Sequence, residues 1–279
     1  MRESAHIFGS SVPIFGVLTE PASGAVNENS PTVLLVNAGL LGRVGPFRLH
    51  VIIARELAKI GISTLRLDLS GIGDSGRHRD NRPREVQHLK DIRDALDFLE
   101  EQCDAKKFVI MGICTGADNA HRVMREDERI VGAVCVDGYS YPTLRYYANH
   151  YLPKLVSRTS WRNLLKRFLR IFNKSNGNDI DTVEVIELDY RWQLPPKEKT
   201  ESDYKVFINR GARLLCIYTA GWRCNYAGQL AEVFASLDFA DIISAQYLPN
   251  ATHTFKVEED RVALITAMKS WLQANWDLE

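Results

Sequence analysis

Phe108-Val109-Ile110-Met111-Gly112-Ile113-Cys114-Thr115-Gly116-Ala117 is the stretch whose reading decides the fold. Phe108–Met111 is a short apolar run closed by a glycine, the pattern of a strand buried on both faces, and the spacing after Gly116 predicts a helix over Gly116–Arg125. A strand handed directly to a helix through Gly-x-Cys-x-Gly places Cys114 on a sharp turn with its side chain exposed. The flanking glycines relieve the crowding that a Cβ would cause in such a strained backbone. The N-terminus of the following helix is directed at the sulfur, a setting that favours thiolate over thiol. Cys114 is therefore the candidate nucleophile.

Outward from this turn, short strands alternate with amphipathic helical stretches. Strands are predicted at Ala5–Phe8, Ile14–Thr19, Val33–Asn37, Ser63–Leu67, Ala133–Val136, Leu214–Tyr218 and Ile242–Tyr247. Helices are predicted at Pro46–Ile60, Glu85–Glu101, Ala227–Ser236 and Glu259–Ala274. Continuous apolar strands alternating with helices mean a parallel sheet covered on both faces, and the opening hairpin makes it mixed. The expected fold is α/β, a mostly parallel, doubly wound sheet of about eight strands. Between Gly138 and Asp203 the strand period gives way to helical stretches and Pro195-Pro196. Residues 139–202 are accordingly read as a helical lid inserted into a core formed by 1–138 and 203–279.

The 279 residues are 45% hydrophobic and 25% charged, which fits one large soluble core and excludes disorder and coiled coil. Lys+Arg and Asp+Glu both number 35, so no global field holds nucleic acid or an anionic bilayer. No apolar run approaches the roughly 20 residues of a membrane span, and Met1–Ser10 has no signal-peptide pattern. Five cysteines without an export signal point to free thiols in a reducing cytosol.

A base is needed in the right chain order, and His253 supplies it, following the last strand and preceding the C-terminal helix. His50, His88 and His121 fall within helices, and no His pairs with Cys or carboxylate at zinc-ligand spacing, so no metal or cofactor is expected. Asn37-Ala38-Gly39-Leu40-Leu41-Gly42 is a small loop after the third strand. Backbone N–H groups of Leu40 or Leu41, with that of Thr115, are the candidate oxyanion hole. Gly71-Ile72-Gly73-Asp74-Ser75-Gly76 matches a dinucleotide fingerprint in letters, but a polar loop follows instead of a helix, so NAD is rejected.

With Cys114, His253 and Asp68-Leu69-Ser70-Gly71-Ile72-Gly73-Asp74-Ser75 assembled, the chain resembles the α/β-hydrolase superfamily over nearly its whole length. More closely, Gly112–Ala117, Tyr146–Leu165 with Tyr151 and Trp161, and Ala251–Phe255 with Trp271-Leu272 resemble the exosortase-A-system-associated hydrolases, bacterial proteins with cysteine in the elbow. The resemblance implies the fold and a Cys–His–acid triad, but no substrate. It also implies an Asp after the seventh strand, where Thr219–Tyr226 has no carboxylate. Two replacements stand open: Asp137, at the alternative acid position after the preceding strand, and Asn225, acting as asparagine does in papain-like enzymes.

In the lid, Arg158, Arg162, Lys166, Arg170 and Lys174 form a basic stripe at a spacing of four, suited to an acidic acyl carrier protein, a coenzyme A phosphate or a membrane surface, or else a solvated face. Tyr139, Tyr141, Tyr146, Tyr147 and Tyr151 precede it and suggest an apolar or aromatic acyl group. The expected activity is acyl transfer through a Cys114 thioester, ending in hydrolysis, transfer or cyclisation. The rival is a catalytically retired α/β-hydrolase that binds a small molecule or a protein, supported by the missing acid.

Overall fold

The computed structural model describes residues 1–22, 30–156, 194–220, 223–239 and 241–276. Eight strands form one sheet: β1 (Arg2–Phe8), β2 (Ile14–Glu20), β3 (Thr32–Leu35), β4 (Thr64–Leu67), β5 (Phe108–Ile113), β6 (Ile130–Val136), β7 (Arg213–Thr219) and β8 (Ile243–Leu248). Their spatial order is β1-β2-β4-β3-β5-β6-β7-β8. β1 and β2 pair antiparallel, β2 meets β4 antiparallel, and every other neighbouring pair is parallel. Among the described residues the α-helices are α1 (Leu49–Ala58), α2 (Arg84–Cys103), α3 (Thr115–Glu126), α4 (Leu144–Val156), α5 (Lys197–Arg210), α6 (Gln229–Val233) and α7 (Glu258–Trp276).

The two-residue period of the strands divides the core. Val33 and Leu35 pack with Leu49, Ile53, Leu264, Met268 and Leu272 of α1 and α7 on one face. Leu34 and Val36 pack with Ile92, Leu96, Ala120, Val123 and Phe207 of α2, α3 and α5 on the other. β3 lies between β4 and β5, so the chain order reverses there and a crevice opens at the carboxyl ends of these strands.

Each predicted strand is present, and β5 runs two residues further than read, up to the doorstep of Cys114. The helix read over Ala227–Ser236 is only Gln229–Val233. Gly228 at φ 84 blocks its extension on one side, and Phe234 at φ −111, ψ 42 ends it on the other. α5 crosses the expected lid boundary at 202, and its Thr200, Tyr204 and Phe207 are buried. The basic stripe from Arg158 to Lys174, and most of the expected lid, lie outside the described residues. Among the described residues no helix is long and apolar enough to cross a membrane.

Candidate active site

The turn after β5 is as tight as its glycines imply. A Cβ on Gly112 would lie 2.0 Å from the carbonyl carbon of Gly116, and one on Gly116 would lie 2.5 Å from the Asn37 oxygen. Between them Cys114 adopts φ 57, ψ −120, a conformation that costs a non-glycine residue about 1–3 kcal/mol. The turn is over-determined by its hydrogen bonds. Cys114 N donates to Val136 O at 2.9 Å, while Cys114 O accepts from Ala117 N at 2.9 Å and from Asp118 N at 3.2 Å. The sulfur stands at the N-terminus of α3 and is partly exposed.

The candidate acid and base come from the ends of β6 and β8, on either side of β7. Asp137 directly follows β6 at φ 51, with its N–H donating to Ile217 O at 2.8 Å. Its carboxylate is fully buried and accepts three hydrogen bonds: from Thr219 N at 2.7 Å, from Thr219 Oγ1 at 2.6 Å and from His253 Nδ1 at 2.7 Å. His253 also hydrogen-bonds the Cys114 side chain. The bond to Asp137, and after it the bond to Cys114, push the His253 pKa up to about 10 against the lowering effect of burial. The loop that carries His253 is pinned to the start of α7. Asp260 accepts from Thr252 N at 3.2 Å, and Arg261 donates to the Phe255 and Lys256 carbonyls at 2.9 and 2.8 Å.

Of the two candidate orienters, only Asp137 reaches the imidazole. Asn225 donates to Tyr146 O at 3.0 Å and accepts from Asn149 Nδ2 at 3.5 Å, so its amide fastens the turn after β7 to α4. Thr219, absent from the sequence reading, gives Asp137 two of its three donors. Its signal was a hydroxyl directly after the buried run Leu214–Tyr218.

The loop after β3 needs one correction. Leu41 N donates to Ala38 O at 3.0 Å, closing a turn, so it is not available to an oxyanion. Gly39 N is likewise engaged, by Thr115 Oγ1 at 2.8 Å. Leu40 N and Thr115 N, the latter in the first turn of α3 where amides have no intrahelical acceptor, make no hydrogen bond among the described residues.

The Asp68–Ser75 loop holds this arrangement from below. Buried Asp68 accepts from Arg43 N at 2.5 Å, from the Arg43 guanidinium and from Asp74 N at 3.2 Å. Ser75 Oγ donates to Asp68 O at 2.6 Å and accepts from Phe15 N at 2.8 Å. Asn37 ties the two loops together, accepting from Leu69 N at 2.6 Å and donating to Leu41 O at 2.8 Å. The glycine-rich stretch is thus occupied in packing against Asp68, and a Cβ on Gly73 would lie 2.2 Å from its carboxylate.

Among the described residues, one cavity adjoins Thr115 and the loop after β3 and another adjoins α4. One, of about 230 Å³, is lined by Asn37, Gly39, Leu40, Leu69, Arg84, Glu85, His88, Thr115 and Asn119. The other, of about 240 Å³, is lined by Pro142, Tyr146, Tyr147, His150, Tyr151 and Arg223. Of the five tyrosines read as a cluster, Tyr139 and Tyr141 are structural: the Tyr139 carbonyl accepts from Tyr218 OH, and Tyr141 OH donates to Pro195 O, both at 2.8 Å. All five cysteines are free. Burial pushes Cys216 up to about 12 and Cys224 up to about 11, and it also raises Cys103 and Cys135. Among the described residues no group of three or more ligands could hold a metal ion.

The sequence matches the profile of a family described as serine aminopeptidase, S33, over residues 35–183, more than half of the chain. No curated protein matches it. Among solved structures, XC6422 from Xanthomonas campestris, described as an α/β serine hydrolase without lid, is similar with TM-score 0.58 and 13% identity, covering 98% of this chain and 95% of its own. The α/β-hydrolase GrgF from Penicillium sp. is similar with TM-score 0.59 and 15% identity, covering 99% of this chain and 100% of its own. A serine hydrolase homologue from Coxiella burnetii gives TM-score 0.56 at 11% identity, covering 96% of both chains.

Proposed function

The chain belongs to the serine aminopeptidase S33 family of α/β-hydrolases, and from that premise we propose that it is a hydrolase whose nucleophile is Cys114, working through an acyl thioester. The observation that supports this is the connected set at the elbow. Cys114 stands in the strained strand–helix turn and is hydrogen-bonded to His253, whose Nδ1 lies 2.7 Å from the buried carboxylate of Asp137. The family description names serine; this chain carries sulfur at the turn. The exosortase-associated resemblance is to proteins that do the same.

In the proposed cycle the sulfur of Cys114, its proton held by His253, attacks the carbonyl carbon of an ester or thioester. The carbonyl π pair moves to oxygen, where the N–H groups of Leu40 and Thr115 stabilise it. As that pair returns, the bond to the leaving group breaks and His253 donates its proton to the departing atom, leaving the acyl group on Cys114. His253 then takes a proton from water, hydroxide equivalent adds to the thioester carbonyl, and collapse releases the acid and restores the paired sulfur and imidazolium. An amine, alcohol or thiol replacing water gives transfer or cyclisation by the same steps. Coenzyme A or an acyl carrier protein fits as donor because the leaving group then departs as a thiolate, which the protonated imidazole neutralises to the free thiol. The 2.7 Å bond from His253 to the Asp137 carboxylate supports this reading over the retired-hydrolase rival.

The test is iodoacetamide at neutral pH followed by peptide mapping, with Cys114→Ala and Cys114→Ser beside the wild type. Labelling of Cys114 ahead of Cys103, Cys135, Cys216 and Cys224, with turnover lost in parallel and lost in Cys114→Ala, is expected. Turnover that survives in Cys114→Ala removes covalent catalysis by this residue.

A further inference from the structure

The cavity against α4 takes no part in the proton transfers, yet both of its sides continue from residues that hold or form the acid. Pro142 and α4 follow Asp137 along the chain from β6, and Arg223 follows Thr219, which ends β7 and gives Asp137 two of its hydrogen bonds. Asn225 fastens the turn after β7 to α4, and the Arg223 carbonyl accepts from Ser140 Oγ at 3.0 Å and from Gln229 Nε2 at 2.7 Å, so the two sides are held together. The lining residues thus lie on the same side of β5 as Asp137 and His253, away from the loop after β3 that carries Leu40. In the proposed cycle His253 protonates the departing atom, so a cavity on this side is placed for the leaving half of a substrate. About 240 Å³ lies below the roughly 300 Å³ at which pockets begin to enclose whole ligands, which suits one end of a donor and not all of it.

The lining is aromatic, cationic and open to a guest. Tyr147 is 47% exposed and Tyr151 55%, and His150 and Arg223 are exposed as well. Their spacing of four on α4 sets the rings in two nearly parallel pairs. Tyr147 and Tyr151 have centroids 6.4 Å apart and planes inclined by 14°, and Tyr146 and His150 have centroids 6.1 Å apart and planes inclined by 6°. A flat ring between two others needs about 7 Å, two contact distances of about 3.5 Å, so either pair admits one after a movement of about 1 Å or less. Exposed side chains make such movements by rotation alone. Arg223 adds a cation, and among the described residues no carboxylate lines the cavity. Stacking faces beside a guanidinium recognise a flat ring that carries negative charge.

We propose that this cavity holds the adenine nucleotide end of an acyl-coenzyme A donor, with the base stacked on Tyr147 and Tyr151 and a phosphate paired with Arg223. The elbow itself favours a thiol as leaving group, because sulfur displacing sulfur exchanges one thioester for another, whereas an alkoxide has the higher pKa and leaves more slowly. Among thiol carriers, a carrier protein ends in a phosphopantetheine without a ring, while coenzyme A brings a flat base and phosphates on the same arm. The five residues from Asp137 to Pro142 reach about 17 Å at most, a separation that the pantetheine arm bridges. This rests on the reading of Cys114 as the acylated residue.

The experiment compares hexanoyl-coenzyme A with hexanoyl-pantetheine, which has the same thioester and arm but no nucleotide. Wild type, the double variant Tyr147→Ala with Tyr151→Ala, Arg223→Gln and Cys114→Ala are assayed for kcat/KM and for the mass of acylated protein. Wild type is expected to favour the coenzyme A donor by about tenfold or more, the scale of one base stacked on aromatic side chains. The double variant and Arg223→Gln should each bring that ratio toward one, and because it is a ratio on one protein, loss of folded material cancels. Adenosine 3′,5′-bisphosphate alone should compete with hexanoyl-coenzyme A in wild type, and about tenfold more weakly in the double variant. Equal donors in wild type, or a preference unchanged in either variant, overturns the nucleotide subsite while leaving the Cys114 adduct intact. Full activity in Cys114→Ala, or no adduct from either donor, overturns the parent reading and this inference with it.

Discussion

Replacing Asp137 by Asn changes one charge and almost no volume, and it attacks the joint on which the site depends. In the native protein the carboxylate accepts from Thr219 N, Thr219 Oγ1 and His253 Nδ1. An amide at 137 keeps its oxygen on Thr219 N and turns its NH₂ toward the imidazole, which then accepts at Nδ1 and carries its proton on Nε2, the wrong tautomer for a base facing Cys114. The shift of His253 from 6.5 to about 10 converts to roughly 5 kcal/mol if taken whole. The ring is 35% exposed, so solvent screening reduces this to about 2 kcal/mol, between one and two pK units. The His253 pKa in Asp137→Asn should fall by at least about one unit, read by NMR titration of the ring protons. A drop in kcat of two to three orders of magnitude should accompany it, less than for a serine nucleophile because a thiol needs less help from its base. The sign for stability is fixed by the raised pKa. The pair contributes fully below 6.5, and its contribution is lost as pH rises through about 10. Asp137→Asn should therefore flatten the alkaline loss of stability. A ring titration that does not move, or kcat within about threefold of wild type, would refute the reasoning.

Four further substitutions probe the frame around the site. Asn225→Ala should leave kcat within a few-fold of wild type, because its amide serves Tyr146 and not His253; a loss like that of Asp137→Asn in steady-state assays would reverse the assignment. Gly112→Ala drives a Cβ to 2.0 Å from backbone that has nowhere to go and should cost about 3 kcal/mol in urea unfolding. Gly39→Ala meets open space and strains only its φ of 58, for about 1 kcal/mol. Asp68→Ala leaves the Arg43 guanidinium and two amides without their buried acceptor and should cost about 2–4 kcal/mol, with lost turnover as the loop after β3 loosens.

What the sequence revealed depended on how local the signal is. The strands are legible because burial on both faces forces unbroken apolar runs such as Val109-Ile110-Met111, and Cys114 is legible because Gly112 and Gly116 admit no Cβ. Choosing Asp137 over Asn225 needed the alignment of β6 with β7, which brings Thr219 and the His253 loop to one carboxylate across more than 80 residues. Leu41 looked as suitable as Leu40 because turn closure onto Ala38 is a matter of a few dihedrals that composition does not encode.

The central claim is that sulfur at the elbow carries the acyl group. The direct measurement is mass spectrometry of the protein quenched in acid during turnover of an activated thioester, followed by digestion and mapping of the modified peptide. The account predicts an acyl increment on the peptide containing Cys114, removed by neutral hydroxylamine as a thioester is and absent from Cys114→Ala. An acyl group mapped to a serine, or undiminished turnover without any adduct at Cys114, would contradict it.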